Sequence, residues 1–134
     1  MTSTTGFLAR ANVSLTDDTG RNGLAGRKTV ARIVRVFGLD IVDTTIDSAA
    51  AWIVERAQHG LAANVAFLNA HCVNVARRDA AYRQALSRST FVFADGIGMK
   101  IAGSVLGRPI AENVNGTDLL PRLCTRMTGV RVFL

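Results

Sequence analysis

The stretch Thr90-Phe91-Val92-Phe93-Ala94-Asp95-Gly96-Ile97-Gly98 decides how the chain folds. Its short aromatic and β-branched run reads as a strand. The strand over Thr90–Ala94 stops at Asp95-Gly96, and helical spacing follows over Ile97–Leu106, closed by Gly107 and Pro109. The same order occurs upstream. Val65–Leu68 reads as a strand buried on both faces and ends in Asn69. A helical stretch follows and restarts at Asp79, a good cap, with Tyr82, Ala85 and Leu86 on its inner face.

Working outward, Asp47 or Ser48 can cap a helix to about Gln58, with Ala50, Ile53, Val54 and Ala57 on one face and Gly60 as its stop. Ile33–Val36 and Leu39–Val42 flank Gly38 as a short hairpin or a bent strand. Downstream, Thr117 or Asp118 caps a helix to about Thr128, with Pro121 read as lying in its first turn, and Val130–Leu134 forms a last strand. Strands alternating with helices predict an α/β fold, with a mainly parallel, Rossmann-like sheet and flanking helices. A final strand with no covering helix leads us to expect that the natural chain continues beyond Leu134 and that this fragment is truncated at its C-terminus.

Residues 1–30 are rich in Ser, Thr, Gly, Asn and Asp and lack apolar periodicity, so they read as a flexible basic leader before one domain over 31–134. The net charge of +6 is uneven: +4 falls within the first 36 residues and +2 in the rest. Such a tail can meet nucleic acid, an anionic membrane, or nothing in particular. Phe7 is its one aromatic residue and no recognition motif accompanies it, which argues against nucleic acid as a partner. Cys72 and Cys124 form no C-x-x-C pair and read as reduced thiols of a cytoplasmic protein. The first ten residues lack the basic-then-apolar order of a signal peptide, and no apolar run has the length needed to span a bilayer.

Ligands of open α/β sheets gather beyond the carboxyl ends of the strands. Asn69 and Asp95 stand at two such ends, and they share one edge if the strands are parallel. Asp95 beside Gly96 can serve as a base, a ribose acceptor or a metal ligand, and the ordinary alternative is a helix cap. The dinucleotide fingerprint would need glycine where Ile101 stands, and the Walker pattern is absent. No second carboxylate lies two residues from Asp95, so a D-x-D metal clamp is not indicated; neither a metal nor another cofactor is expected. Asn113-Val114-Asn115-Gly116-Thr117-Asp118 is a polar turn entering a helix; its amides could hold a phosphate or a sugar hydroxyl, or it could be no more than a capped loop. His59 and His71 stand alone, without a nucleophile that would complete a catalytic arrangement.

Phe67-Leu68-Asn69-Ala70-His71, Arg77-Arg78-Asp79, Phe93-Ala94-Asp95-Gly96-Ile97-Gly98, Asn115-Gly116-Thr117-Asp118-Leu119-Leu120-Pro121 and Val132-Phe133-Leu134 occur in this order. In order and spacing the set, spanning Phe37 to Leu134, resembles the WecG/TagA/CpsF family. The resemblance implies an inverting, metal-independent glycosyltransferase. Such enzymes move an N-acetylmannosamine-type sugar from a UDP donor to a polyprenyl-diphosphate-linked sugar for cell-surface polysaccharide. It implies Asp95 as the catalytic base, Asn69 lining the substrate pocket, and Gly96, Asn115, Gly116, Thr117 and Asp118 as further substrate-binding residues. It further implies a cytoplasmic protein at the inner face of the plasma membrane, able to form homo-oligomers, whose first part alone is inactive. This chain carries Phe67 where the family often has threonine and Asn113 where it often has arginine, which bears on the sugar that is held. The competing reading is a nucleotide-binding α/β domain without transferase activity.

Overall fold

The computed structural model describes residues 31–129. The leader expected over 1–30 and the strand expected over 130–134 lie outside the described residues. Within them the chain is a mixed α/β protein with two small sheets and five helices. Strands β1 (Arg32–Val36) and β2 (Leu39–Asp43) form an antiparallel hairpin, and β3 (Val65–Leu68) and β4 (Phe91–Ala94) form a parallel pair. The helices are α1 (Ile46–Gln58), α2 (Ala70–Arg78), α3 (Ala80–Arg88), α4 (Ile97–Val105) and α5 (Gly116–Arg126). The expected mainly parallel sheet is therefore not what the described strands form: one pair is parallel, one is antiparallel, and β2 lies beside β4 without joining its ladder.

β4 is buried along its whole length. Successive side chains of a strand point to opposite faces. Val92 and Ala94 accordingly meet Ile41, Leu68, Val73, Leu86 and Met99 on one side. Phe91 and Phe93 meet Val42, Ile46, Ala49, Ala50, Val114 and Leu119 on the other. Helices α2, α3 and α4 thus cover one face, and α1 and α5 the other. β3 departs from expectation: Val65, Ala66 and Phe67 are only half-buried, because β4 is its one strand partner among the described residues.

The hairpin turn places Phe37 at φ 51° and Gly38 at φ 72°. Paired left-handed residues of this kind match the twist of the strands they join. Arg83 of α3 donates to the Gly38 carbonyl at 3.1 Å and closes the turn against the helix layer. Cross-strand pairing sets Arg32 opposite Asp43 and Arg35 opposite Asp40, and both pairs are salt-bridged.

Two helices start earlier than their sequences suggest. Thr45, not Asp47 or Ser48, caps α1, because Ile46 is buried and already helical; its hydroxyl accepts from the Ser48 amide at 3.2 Å. Asp47 instead receives Arg122 and Arg126 of α5 at 2.7 and 2.8 Å, tying the two helices of that layer together. Asn115, not Thr117 or Asp118, caps α5. Pro121 is consequently the sixth helical residue rather than a first-turn one, and the Thr117 carbonyl loses the donor that any other residue there would supply. On α3, Leu86 is buried and Tyr82 half-buried as expected, whereas Ala85 is exposed.

The loop after α4 is pinned to the hairpin. Asp43 is buried and accepts from Arg32 and, at 2.8 Å, from the Ala111 amide. Asp43→Ala should leave that amide without its acceptor and Arg32 without its carboxylate partner, lowering unfolding free energy by about 1–3 kcal/mol. Asp40→Ala, at the exposed pair with Arg35, should cost under about 1 kcal/mol. Urea midpoints measured at unchanged m-value would check both, and equal effects would contradict the assignment.

Helix α4 turns an apolar stripe to solvent: Ile97, Ile101 and Val105 are 70%, 57% and 80% exposed. Exposed contiguous apolar surface favours association. Residues 1–134 are expected to bind an apolar-surface dye and to self-associate on size exclusion, and Ile101→Lys with Val105→Lys to reduce both. A dye-silent monomer would refute this.

Candidate functional site

The register Leu68↔Ala94 of the parallel pair puts the next residues, Asn69 and Asp95, at one edge of the sheet. The pairing inferred from sequence is thus present in the fold. The Asp95 amide donates to the Leu68 carbonyl at 2.9 Å, closing the ladder one residue beyond the strands. The segment before α5 extends the same edge, since the Val114 amide donates to the Ala94 carbonyl at 2.9 Å.

Three helices begin here. α2 follows Asn69, α4 follows Gly96, and α5 follows Asn115. Their starts are close together: a Cβ on Gly98 would lie 3.5 Å from the Ala70 Cβ, and one on Gly116 would lie 3.3 Å from the Phe67 ring. Each helix start carries roughly half a positive charge from aligned peptide dipoles. Neither α2 nor α4 has an acidic residue in its first turn, while α5 has Asp118.

Asp95 is not a helix cap. The cap position of α4 belongs to Gly96, and no side chain caps that helix. The Asp95 carboxylate is half-buried and makes no hydrogen bond or ion pair with any described residue. Gly96 takes φ 91° and ψ 158°, a conformation that side-chain-bearing residues rarely adopt. Its amide donates to Asn113 Oδ1 at 2.5 Å.

The remaining candidates divide. Asn69 caps α2, with its Oδ1 accepting from the Cys72 amide at 2.9 Å, which leaves its Nδ2 without a partner among the described residues. Asn115 is fully engaged as the α5 cap: Oδ1 accepts from the Asp118 amide at 2.8 Å and Nδ2 donates to Asp118 Oδ2 at 2.7 Å. Asn115 and Asp118 thus form the side-chain cap at the start of α5. Gly116 is half-buried beneath Phe67, and Thr117 is exposed. His59 bonds its own helix through the Glu55 carbonyl at 2.7 Å, away from this edge.

Sequence reasoning did not place Asn113 among the site residues, although its side chain accepts from the amide of Gly96, the residue after Asp95. No local sequence pattern signals this contact, which joins residues 17 apart. Thr44, just after β2, is a second missed feature: its hydroxyl is buried and unpartnered. Among the described residues no three His, Cys, Asp or Glu side chains stand together as a metal would require, and no helix is long and apolar enough to cross a membrane.

The fold is that of an α/β protein with a half-buried carboxylate, Asp95, at the strand edge where three helices begin. Over residues 34–134 the chain matches the Glycosyl transferase WecG/TagA/CpsF family, and it belongs to that family. No individual curated protein matches it.

Gly96→Ala isolates the backbone contribution, because nothing lies within 4 Å of the added methyl. The expected loss is about 1–3 kcal/mol of stability from the left-handed conformation alone. Thermal and urea unfolding would measure it, and an unchanged or raised stability would show that Gly96 is not conformationally constrained.

Proposed function

We propose that this glycosyltransferase moves an N-acetylmannosamine-type sugar from a UDP donor to a polyprenyl-diphosphate-linked sugar, with inversion and with Asp95 as base. The observation that carries the proposal is the Asp95 carboxylate, half-buried at the strand edge and not consumed by capping. A sugar hydroxyl is a poor nucleophile at neutral pH. A carboxylate in hydrogen-bond reach takes its proton as the oxygen attacks the anomeric carbon, worth about 10²–10⁴-fold in rate. The bond from that carbon to the diphosphate oxygen breaks, the pair of electrons leaves with UDP, and a single displacement inverts the centre.

The departing diphosphate gathers negative charge, and the starts of α2, α4 and α5 offer preorganised amides and positive dipole ends for it. Asn69 Nδ2 and the amides of Gly116 and Thr117 are the further substrate contacts in this reading. The Rossmann-like arrangement also belongs to it, with β3 and β4 as its parallel pair. So do a location at the cytoplasmic face of the plasma membrane, where the lipid-linked acceptor would be met, and homo-oligomer formation. Phe67, seated on Gly116, fills the place where the family often has a hydroxyl, so donor choice should differ from that of threonine-bearing relatives.

Asp95→Asn in the full-length protein should lower turnover by at least about 10²-fold with folding intact. Near-normal turnover with UDP-N-acetylmannosamine and a synthetic lipid-diphosphate acceptor would remove Asp95 from the role. Transfer should also survive excess EDTA, since among the described residues no cluster of three His, Cys, Asp or Glu stands ready to hold a metal. A strict requirement for added magnesium or manganese would overturn that part.

A further inference from the structure

We propose that Asn113 is a positioning residue for Asp95, acting through the Gly96 peptide; the proposal rests on the reading of Asp95 as the base. The Asp95 carboxylate has no hydrogen-bond partner of its own among the described residues, so its direction is set by the backbone that carries it. That backbone is fixed at three successive points. The Ala94 carbonyl accepts from Val114 and the Asp95 amide donates to Leu68, both at 2.9 Å. The Gly96 amide donates to Asn113 Oδ1 at 2.5 Å. The first two bonds join backbone to backbone and survive most substitutions. The third depends on one side chain.

That third bond holds the least secure point. Gly96 sits at φ 91°, where glycine has wide freedom, and α4 has no side-chain cap to hold its first residue. Without the Asn113 carbonyl, the Asp95–Gly96 peptide can rotate, and the carboxylate turns with it. Displacing a reacting group by about 1 Å can cost on the order of 10²-fold in rate. The bond needs an acceptor at position 113. The arginine often found there in the family has none, so Asn113 here does something an arginine could not do. With Oδ1 fixed on Gly96, the Nδ2 of Asn113 has no partner among the described residues.

The test uses the full-length protein carrying Asn113→Ala, Asn113→Asp or Asn113→Arg, beside Asp95→Asn. Amide exchange at Gly96, followed with glycine-selective ¹⁵N labelling, reads the contact directly. Alanine and arginine should speed that exchange by at least about 10-fold, while the isosteric aspartate, which keeps an acceptor, should preserve protection. Turnover of UDP-N-acetylmannosamine with a synthetic lipid-diphosphate acceptor reads the consequence. In Asn113→Ala, kcat should fall at least about 10-fold while KM for the donor changes less than about 3-fold, the signature of lost alignment rather than lost binding. Unchanged Gly96 exchange in the alanine variant, or a KM effect without a kcat effect, would overturn the proposal. If Asp95→Asn keeps full turnover, the base assignment fails instead, and the exchange data still judge the contact by itself.

Discussion

The burial of β4 on both faces is the constraint from which the rest of the structure follows. Phe91 and Phe93 stack with ring centroids 5.6 Å apart, and Trp52 of α1 stacks on Phe91 at 6.3 Å. Such pairs add about 0.5–1.5 kcal/mol each beyond their buried area. With Val92 and Ala94 buried on the other side, four residues require helices on both faces of the strand. A polar residue can follow only where that cover ends. Asp95 stands at this point, so core packing itself fixes where the carboxylate emerges.

A second constraint is the chain between α4 and α5, which behaves as structure rather than as a loose connection. Arg32 reaches the Pro109 carbonyl at 2.6 Å, Asp43 takes the Ala111 amide, Asn113 takes the Gly96 amide and Val114 extends the ladder at Ala94. Ile110 and Val114 are buried on opposite faces. The segment therefore acts as a further edge and delivers the start of α5 to the site. Two glycines make its path feasible. A Cβ at Gly103 would come within 2.7 Å of the Arg108 carbonyl, and one at Gly116 would press on Phe67.

Much of this was legible in the residues because it is local. The runs Val65–Leu68 and Phe91–Ala94, the helix from Ile97 and the turn at Gly38 are marked by apolar period and by glycine or proline. The shared edge of Asn69 and Asp95 followed from topology once the strands were taken as parallel. Caps were less legible where several capable residues crowd together. In Thr44-Thr45-Ile46-Asp47-Ser48 the choice was made by the burial of Ile46, a tertiary fact. The half-exposure of β3 has the same origin, since burial on two faces depends on neighbours that the strand's own sequence does not specify. The bond from Gly96 to Asn113 joins residues 17 apart through a path set by Asp43, so no local pattern announces it.

Capping also sorts the candidate residues by what they can still offer a ligand. Asn115 has both ends of its amide engaged, and Asn69 has its acceptor engaged, leaving a donor. The first-turn amides of α4, left uncapped by Gly96, are donors as well. The Asp95 carboxylate is an acceptor at this edge without a partner among the described residues. An edge made of several donors and one free carboxylate suits a reaction in which negative charge grows on a leaving group while a proton is taken from a nucleophile. A site built only to hold an anion would gain nothing from that carboxylate, whose charge opposes the ligand. Proton transfer by Asp95, as proposed, is the use of this edge that draws on its carboxylate.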